Sequence, residues 1–244
     1  MTEALAPARG RFPIGLTIAT ALAFALLVGL GVWQLQRLKW KEAILVRVAA
    51  AQTALPVNLG PVLDAAAQGG DVDYTRVAVT CPGLAAAPFL ELYWLHEGGQ
   101  AGARLISACP VEAGRYRTVL VDRGFVPDTD PARPSVDPAA RTPVRIVGVL
   151  RKPDRPSFIA PKNRPGHWFT RDIAAMAAAL GAPAPAPVFL YAETSTNPEF
   201  KALEPAPLPS NIPNRHFEYA LTWFGLAGAL LCVYAAALVR RIRG

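Results

Sequence analysis

The residues able to do chemistry in this 244-residue sequence are three histidines, three cysteines and two groups of basic and aromatic side chains. His216 is the most informative. It lies in Asn214-Arg-His-Phe-Glu-Tyr-Ala-Leu-Thr-Trp-Phe224, at the start of a long apolar run. Positions i, i+3 and i+7 share one face of a helix, so His216, Tyr219 and Trp223 form a stripe. At the end of another apolar run, Trp33, Arg37 and Trp40 form a similar stripe, with Gln34 and Lys41 close by. An imidazole can ligate haem iron. Aromatic rings can flank a porphyrin, and Arg37 and Lys41 can pair with its propionate carboxylates. The same residue types also build an ordinary aromatic belt with snorkelling basic side chains at a membrane surface. Spacing alone leaves both readings open.

The remaining candidates are weaker. His96 falls in a predicted hairpin loop and is expected to be solvated. His167, in Gly166-His-Trp-Phe-Thr-Arg171, stands beside a helix start and reads as structural. Cys81 and Cys109 each end a predicted strand and each precede a proline. They form either a disulfide, which an oxidising compartment would preserve, or two free buried thiols. Cys232 lies within an apolar run and is expected to be a packing residue. There is no CxxC spacing, GxxxxGK[ST], GxSxG or HExxH, and the carboxylates are scattered, so the expectation is no enzyme.

The elements that must position these residues follow from composition. Hydrophobic residues make up 52% of the chain and charged ones 18%, against about 25% charged in an ordinary soluble domain. The net charge is +7, and five arginines (Arg9, Arg11, Arg240, Arg241 and Arg243) lie in two short tails. That placement argues for membrane topology signals rather than a nucleic-acid face. Of 24 prolines, 22 lie between Pro56 and Pro213. Proline breaks helix interiors, so long helices belong at the two ends, with strands and turns between them.

Phe12 to Gln36 carries no charge. Its length, ~37 Å as a helix, crosses a ~30 Å hydrocarbon core. It is read as an uncleaved anchor, because no small-residue cleavage site follows. Tyr219 to Val239 is also uncharged and is closed by Arg240, Arg241 and Arg243. The arginines put both termini in the cytoplasm. The Arg37/Lys39/Lys41 cluster runs against that rule, which is weak for long translocated loops. Ala21, Ala25 and Gly29, and Gly225 with Ala229, recur at four-residue spacing. They predict packing of the spans on each other or on a membrane partner.

The expected division is a cytoplasmic tail over 1–11, a transmembrane helix over 12–36 and an extracytoplasmic domain over 37–215. A second transmembrane helix over 216–239 and a cytoplasmic tail over 240–244 complete it. The first helix is expected to continue past the membrane to about Gln52. Strands are predicted at Thr75–Thr80, Phe89–Leu95, Leu105–Ala108, Arg117–Val126, Val144–Leu150 and Val188–Ala192. A long Pro/Asp-rich loop over Val126–Val144 and a short helix over Arg171–Leu180 separate the later ones. The fold class is therefore an α+β membrane protein, with two transmembrane helices flanking a mostly antiparallel β extracytoplasmic domain, a sheet or a partial barrel.

Six segments resemble one family. Gly31-Val-Trp-Gln-Leu-Gln-Arg-Leu-Lys-Trp-Lys41 is similar to the GxWQxxRxxxK segment of the Surfeit locus family of cytochrome oxidase assembly proteins. Tyr74-Thr-Arg-Val-Ala-Val-Thr80 resembles its Y-x-R-V-x-V strand, and Val119-Leu-Val-Asp-Arg-Gly-Phe-Val-Pro127 its VLVNRGWVP. Val147-Gly-Val-Leu-Arg151 resembles V-x-G-x-L-R. Trp168-Phe-Thr-Arg-Asp172 with Ala175-Met-Ala177 resembles WxxRD…AMA, and Asn214–Phe224 resembles NxHLEYAxTWF. The matches run in order along nearly the whole chain. Cys81, Cys109-Pro110, Asp122 in place of Asn, and Gly166-His167 depart from the pattern, and a Cys81–Cys109 bridge would be particular to this chain.

The resemblance implies an assembly factor for haem-copper cytochrome c oxidase in the bacterial inner membrane, with its domain in the periplasm. Such a protein binds haem a and aids its insertion into the oxidase catalytic subunit, alongside other assembly factors. It implies His216 as the ligand of haem iron, with Trp33, Gln34 and Arg37 as the matching motif; Lys41, Tyr219 and Trp223 complete the candidate site. Gly124 is a family position, read as a backbone site that rejects a side chain. The alternatives are a haem-free membrane scaffold or chaperone, or an accessory subunit that stays in the respiratory complex.

Overall fold

The proline-poor ends of the chain form its two long helices. In the computed structural model, which describes residues 13–96, 98–205 and 213–243, α1 runs over Ile14–Thr53 and α4 over His216–Arg243. The expected N-terminal tail with Arg9 and Arg11, Glu97 of the hairpin loop, 206–212 of the later Pro-rich stretch and Gly244 lie outside the described residues. Both helices are long and apolar enough to cross a membrane. The continuation of α1 past Gln36 ends at Thr53, one residue beyond the expected Gln52.

The chain divides into one unit of Met1–Val46 with Asn211–Gly244 and a second of Arg47–Ser210. In the first unit α1 and α4 run antiparallel. Thr17 Oγ1 and Tyr234 Oη share a hydrogen bond of 2.6 Å, and Gln34 meets His216 at 2.7 Å. The steps from Thr17 to Gln34 cover ~25 Å of axis, so the helices touch over most of a bilayer's apolar thickness. The expected small-residue stripes are not the contact. Ala21, Ala25, Gly29, Gly225 and Ala229 are exposed, and neither Gly29 nor Gly225 would place a Cβ within 4 Å of another group. The inward faces instead carry Thr20 and Gly31 on α1, and Ala220 and Ala227 on α4. Cys232, expected to pack, is exposed on α4.

The second unit is built on one seven-stranded sheet. Its strands are β1 (Val57–Asn58), β2 (Arg76–Pro82), β3 (Phe89–Leu95), β4 (Ala101–Ala113), β5 (Tyr116–Pro127), β6 (Pro143–Arg151) and β7 (Pro185–Ala192). Their order is β1-β2-β6-β7-β5-β4-β3. Only β1–β2 and β5–β7 pair in parallel, so the sheet is mostly antiparallel as expected. Successive strand residues point to opposite faces, and β5 uses both. Val119 and Val121 enter a core with Leu63 of α2 (Leu59–Ala67) and Leu190. Leu120 enters a second core with Trp168 and Met176 of α3 (Ile173–Ala179). Pro110 sits where the β4–β5 register slips, a place that tolerates a missing donor.

Cys81 of β2 and Cys109 of β4 form a disulfide, although four ladders separate their strands in the sheet. The sheet must therefore curl until its two sides face each other across the core, which is the partial-barrel form of the expectation. Both cysteines are fully buried. Cross-links of this loop size constrain the unfolded chain by roughly 2–4 kcal/mol. The double variant Cys81→Ala/Cys109→Ala is expected to unfold at a clearly lower urea midpoint. A midpoint equal to wild type contradicts that role.

Candidate functional site

The site is carried by the two apolar helices. His216 opens α4, and its position is fixed from α1 by Gln34. Gln34 Oε1 accepts a hydrogen bond from His216 Nδ1 at 2.7 Å. A neutral imidazole with its proton on Nδ1 keeps the lone pair of Nε2. That is the arrangement in which a ligating histidine is oriented by an outer partner through its other nitrogen. The helices approach closely here because Gly31, one turn from Gln34, has no side chain. A Cβ at Gly31 would lie 2.6 Å from the Phe224 ring.

The other expected residues are distributed around this pair. Arg37 stacks its guanidinium over Trp40, 4.4 Å from the ring centre, a contact typical of exposed cation–π pairs. Neither Arg37 nor Lys41 has a carboxylate partner among the described residues. Trp223 and Lys41 are half-buried, whereas Trp33 and Tyr219 are exposed on their helices. The i, i+3, i+7 stripe is thus only partly the inward face: His216, Ala220, Phe224 and Ala227 point inward, and Tyr219 points out. Asn214, two residues before His216, holds a buried Oδ1 with no hydrogen-bond partner among the described residues. Sequence reading quoted Asn214 and Phe224 within a motif but assigned neither a place in the site. The α4 inward face follows a three-to-four-residue step from His216, which was the signal available for Phe224.

His96 and His167 belong to the second unit, not to the helix pair. His96 is exposed and its ring stacks on Phe125, 5.1 Å between ring centres, so it is less free than a solvated loop residue. His167 is exposed in a loop where its backbone pairs with Arg164.

The second unit holds a buried charge cluster that sequence reading did not find. Asp122 Oδ2 accepts from Arg104 Nε at 2.7 Å and from Arg171 Nη2 at 2.6 Å. Asp122 and Arg104 are buried and Arg171 is nearly so, its side chain 9% exposed. The guanidinium groups stack on Trp94 and Tyr191. Burial pulls the Arg171 pKa down, but the Asp122 charge and hydrogen bond, together with Tyr191 and Asp154, outweigh it and the net shift is upward. Burial also raises the Tyr191 phenol. Next to them Arg123 is fully buried and donates to Ala85 O and Thr196 Oγ1. Burial pushes its pKa down to about 10.

These charges come from positions 18 and 49 residues apart, so spacing gives no sign of them. The one signal was Asp122 where the family pattern carries Asn. Removing one member of a buried ion pair costs roughly 3–5 kcal/mol. Asp122→Ala is expected to lose about that in chemical denaturation, and Asp122→Asn, which keeps an acceptor but removes the charge opposite Arg104 and Arg171, nearly as much. Wild-type stability of Asp122→Asn contradicts a charge-based role.

A family profile described as the SURF1 family matches residues 21–228. Surfeit locus protein 1 of Mus musculus is 29% identical over 240 residues, covering 87% of this chain and 72% of that protein. The Homo sapiens protein of that name is 29% identical over 244 residues, covering 88% and 75%. A SURF1-like protein of Rickettsia felis is 27% identical over 228 residues, covering 89% and 94%.

Proposed function

The chain belongs to the SURF1 family, and on that premise we propose that it is an assembly factor for haem-copper cytochrome oxidase that binds haem a and aids its insertion into the catalytic subunit. The observation that carries the reading is the His216–Gln34 hydrogen bond. It orients an imidazole at the end of an apolar helix pair and leaves Nε2 free to ligate. The residues fit the group. Iron takes a neutral imidazole nitrogen, and Arg37 and Lys41, without a carboxylate partner among the described residues, suit two propionates. Trp33, Tyr219 and Trp223 offer aromatic surface. Haem a, when bound, is cargo for the oxidase, and the chain's own residues orient and hold it. The role is non-enzymatic.

We place the chain in the inner membrane of a bacterium, with both termini cytoplasmic and the second unit in the periplasm; the two apolar helices support a membrane location, the Rickettsia felis relative a bacterial one, and Arg240, Arg241 and Arg243 the orientation. The partners are the oxidase catalytic subunit and other assembly factors; nucleic acid is not among them. A haem-free membrane scaffold or chaperone is the second reading. The outward small-residue faces of α1 and α4 favour it, since such faces suit close helix contact.

The two readings separate at Gln34. Losing the outer partner of a ligating histidine weakens metal binding roughly 10–100-fold. Gln34→Leu protein titrated with haem a in detergent is expected to show a loss of that size. Unchanged affinity contradicts the proposed role of the pair. Stable co-purification of the oxidase subunit with haem-free protein favours the scaffold.

A further inference from the structure

The segment between β6 and α3 combines exposed apolar side chains with exposed cations. Ser157 to Ala160 form a tight turn, with Ala160 N donating to Ser157 O at 2.9 Å. The turn presents Phe158, 100% exposed, and Ile159, 76% exposed. From Arg155 to Arg171 there is no acidic residue. Arg155, Lys162 and Arg164 are exposed and make no ion pair among the described residues. Other cations nearby are neutralised: Lys152 pairs with Asp71, and Arg151 with Asp73. Lys162, Arg164 and His167 line an open cavity of about 440 Å³ with Pro161 and Phe169. The segment is ordered from within, because Asn163 bonds Phe169 N, Thr170 N and Thr170 O.

Phe158 held wholly and Ile159 largely in water, with Arg155, Lys162 and Arg164 unpaired in the same segment among the described residues, fit a surface that is apolar beneath and anionic above. We propose that the Arg155–Phe169 segment docks on an anionic phospholipid surface. Phe158 and Ile159 enter the interface between headgroups and acyl chains, and Lys162 and Arg164 take lipid phosphates into the cavity between them. Side chains of this kind bury a few ångströms into a bilayer, and their cations are drawn to its negative surface potential. A protruding two-residue tip suits a deformable lipid surface better than a folded protein groove, where an acidic partner would need a matching pocket. This inference is independent of haem binding.

The test uses the full-length protein in nanodiscs. Phe158→Cys is made in a Cys232→Ala background, where Cys81 and Cys109 are tied in their disulfide, and carries an environment-sensitive fluorophore. Discs contain phosphatidylcholine alone or with phosphatidylglycerol. The expected result is a blue shift, with quenching by brominated lipid, in the anionic discs only. The triple change Arg155→Gln/Lys162→Gln/Arg164→Gln is expected to remove both, and a label at Ile159→Cys to behave like the one at 158. A water-like emission in both discs overturns the proposal, as does an equal shift in both. A shift in phosphatidylcholine discs on adding inorganic phosphate or polyglutamate also overturns it, in favour of a free anion or an acidic protein.

Discussion

Gly124→Ala protein is expected to lose about 4 kcal/mol of the stability of its second unit. Gly124 has a φ of +128°, in a region that L side chains rarely adopt. A Cβ there would lie 2.1 Å from Glu204 O and 2.8 Å from its carbonyl carbon. Both are backbone atoms, so no side-chain rotation relieves the clash. Glu204 is held in place by two hydrogen bonds with Phe125, N to O at 2.8 and 2.9 Å. Backbone strain of this kind costs roughly 1–3 kcal/mol, and each hydrogen bond lost adds about 1 kcal/mol. The sum is about 4 kcal/mol, among the larger single-residue effects. Gly69→Ala is the control: φ is +88° there, but nothing lies within 4 Å of the added Cβ. A urea midpoint that falls far more for Gly124→Ala than for Gly69→Ala is expected. Equal falls would mean that strain alone matters and that the Glu204 contact does not.

The second large effect is on the ligand. His216→Ala deletes the imidazole while leaving Gln34, Arg37 and the aromatic residues in place. The loss of haem a affinity is expected to exceed the roughly 10–100-fold assigned to an outer partner such as Gln34. His216 is half-buried and opens α4 without filling its interior, so the helix pair keeps its Thr17–Tyr234 and Gly31–Phe224 contacts. Added imidazole is expected to restore part of the haem spectrum of the variant, because the deleted ring leaves space beside Gln34. A variant that binds haem as tightly as wild type places the ligand elsewhere.

Much of the architecture was legible because it rests on local rules. The uncharged stretch from Phe12 and the absence of proline set α1, and alternation set β3 at its observed bounds, Phe89–Leu95. Helix α2 was not, since Gly60 and Pro61 disguise its first turn, although proline is tolerated there. Of the two packings expected for the small-residue stripes, on each other or on a membrane partner, the helix pair does not show the first, for a different reason. Small residues at four-residue spacing mark any face that allows close approach, and Ala21, Ala25 and Gly29 lie on the face that this pair leaves outward. The true contact mixes Thr17, Gly31 and Gln34, which no single-residue pattern selects. Gln34 and His216 were both legible as candidates. Their hydrogen bond was not, because it joins positions 182 apart. The same limit hid the Asp122 cluster, whose members meet only once the sheet has formed.

The measurement that tests the central claim most directly is the visible absorption spectrum of full-length protein purified from cells that make haem a, read beside His216→Ala prepared in the same way. A haem a Soret band in the wild type that is lost in the variant is the predicted result. A wild type without the band, or a variant with full haem occupancy, contradicts it.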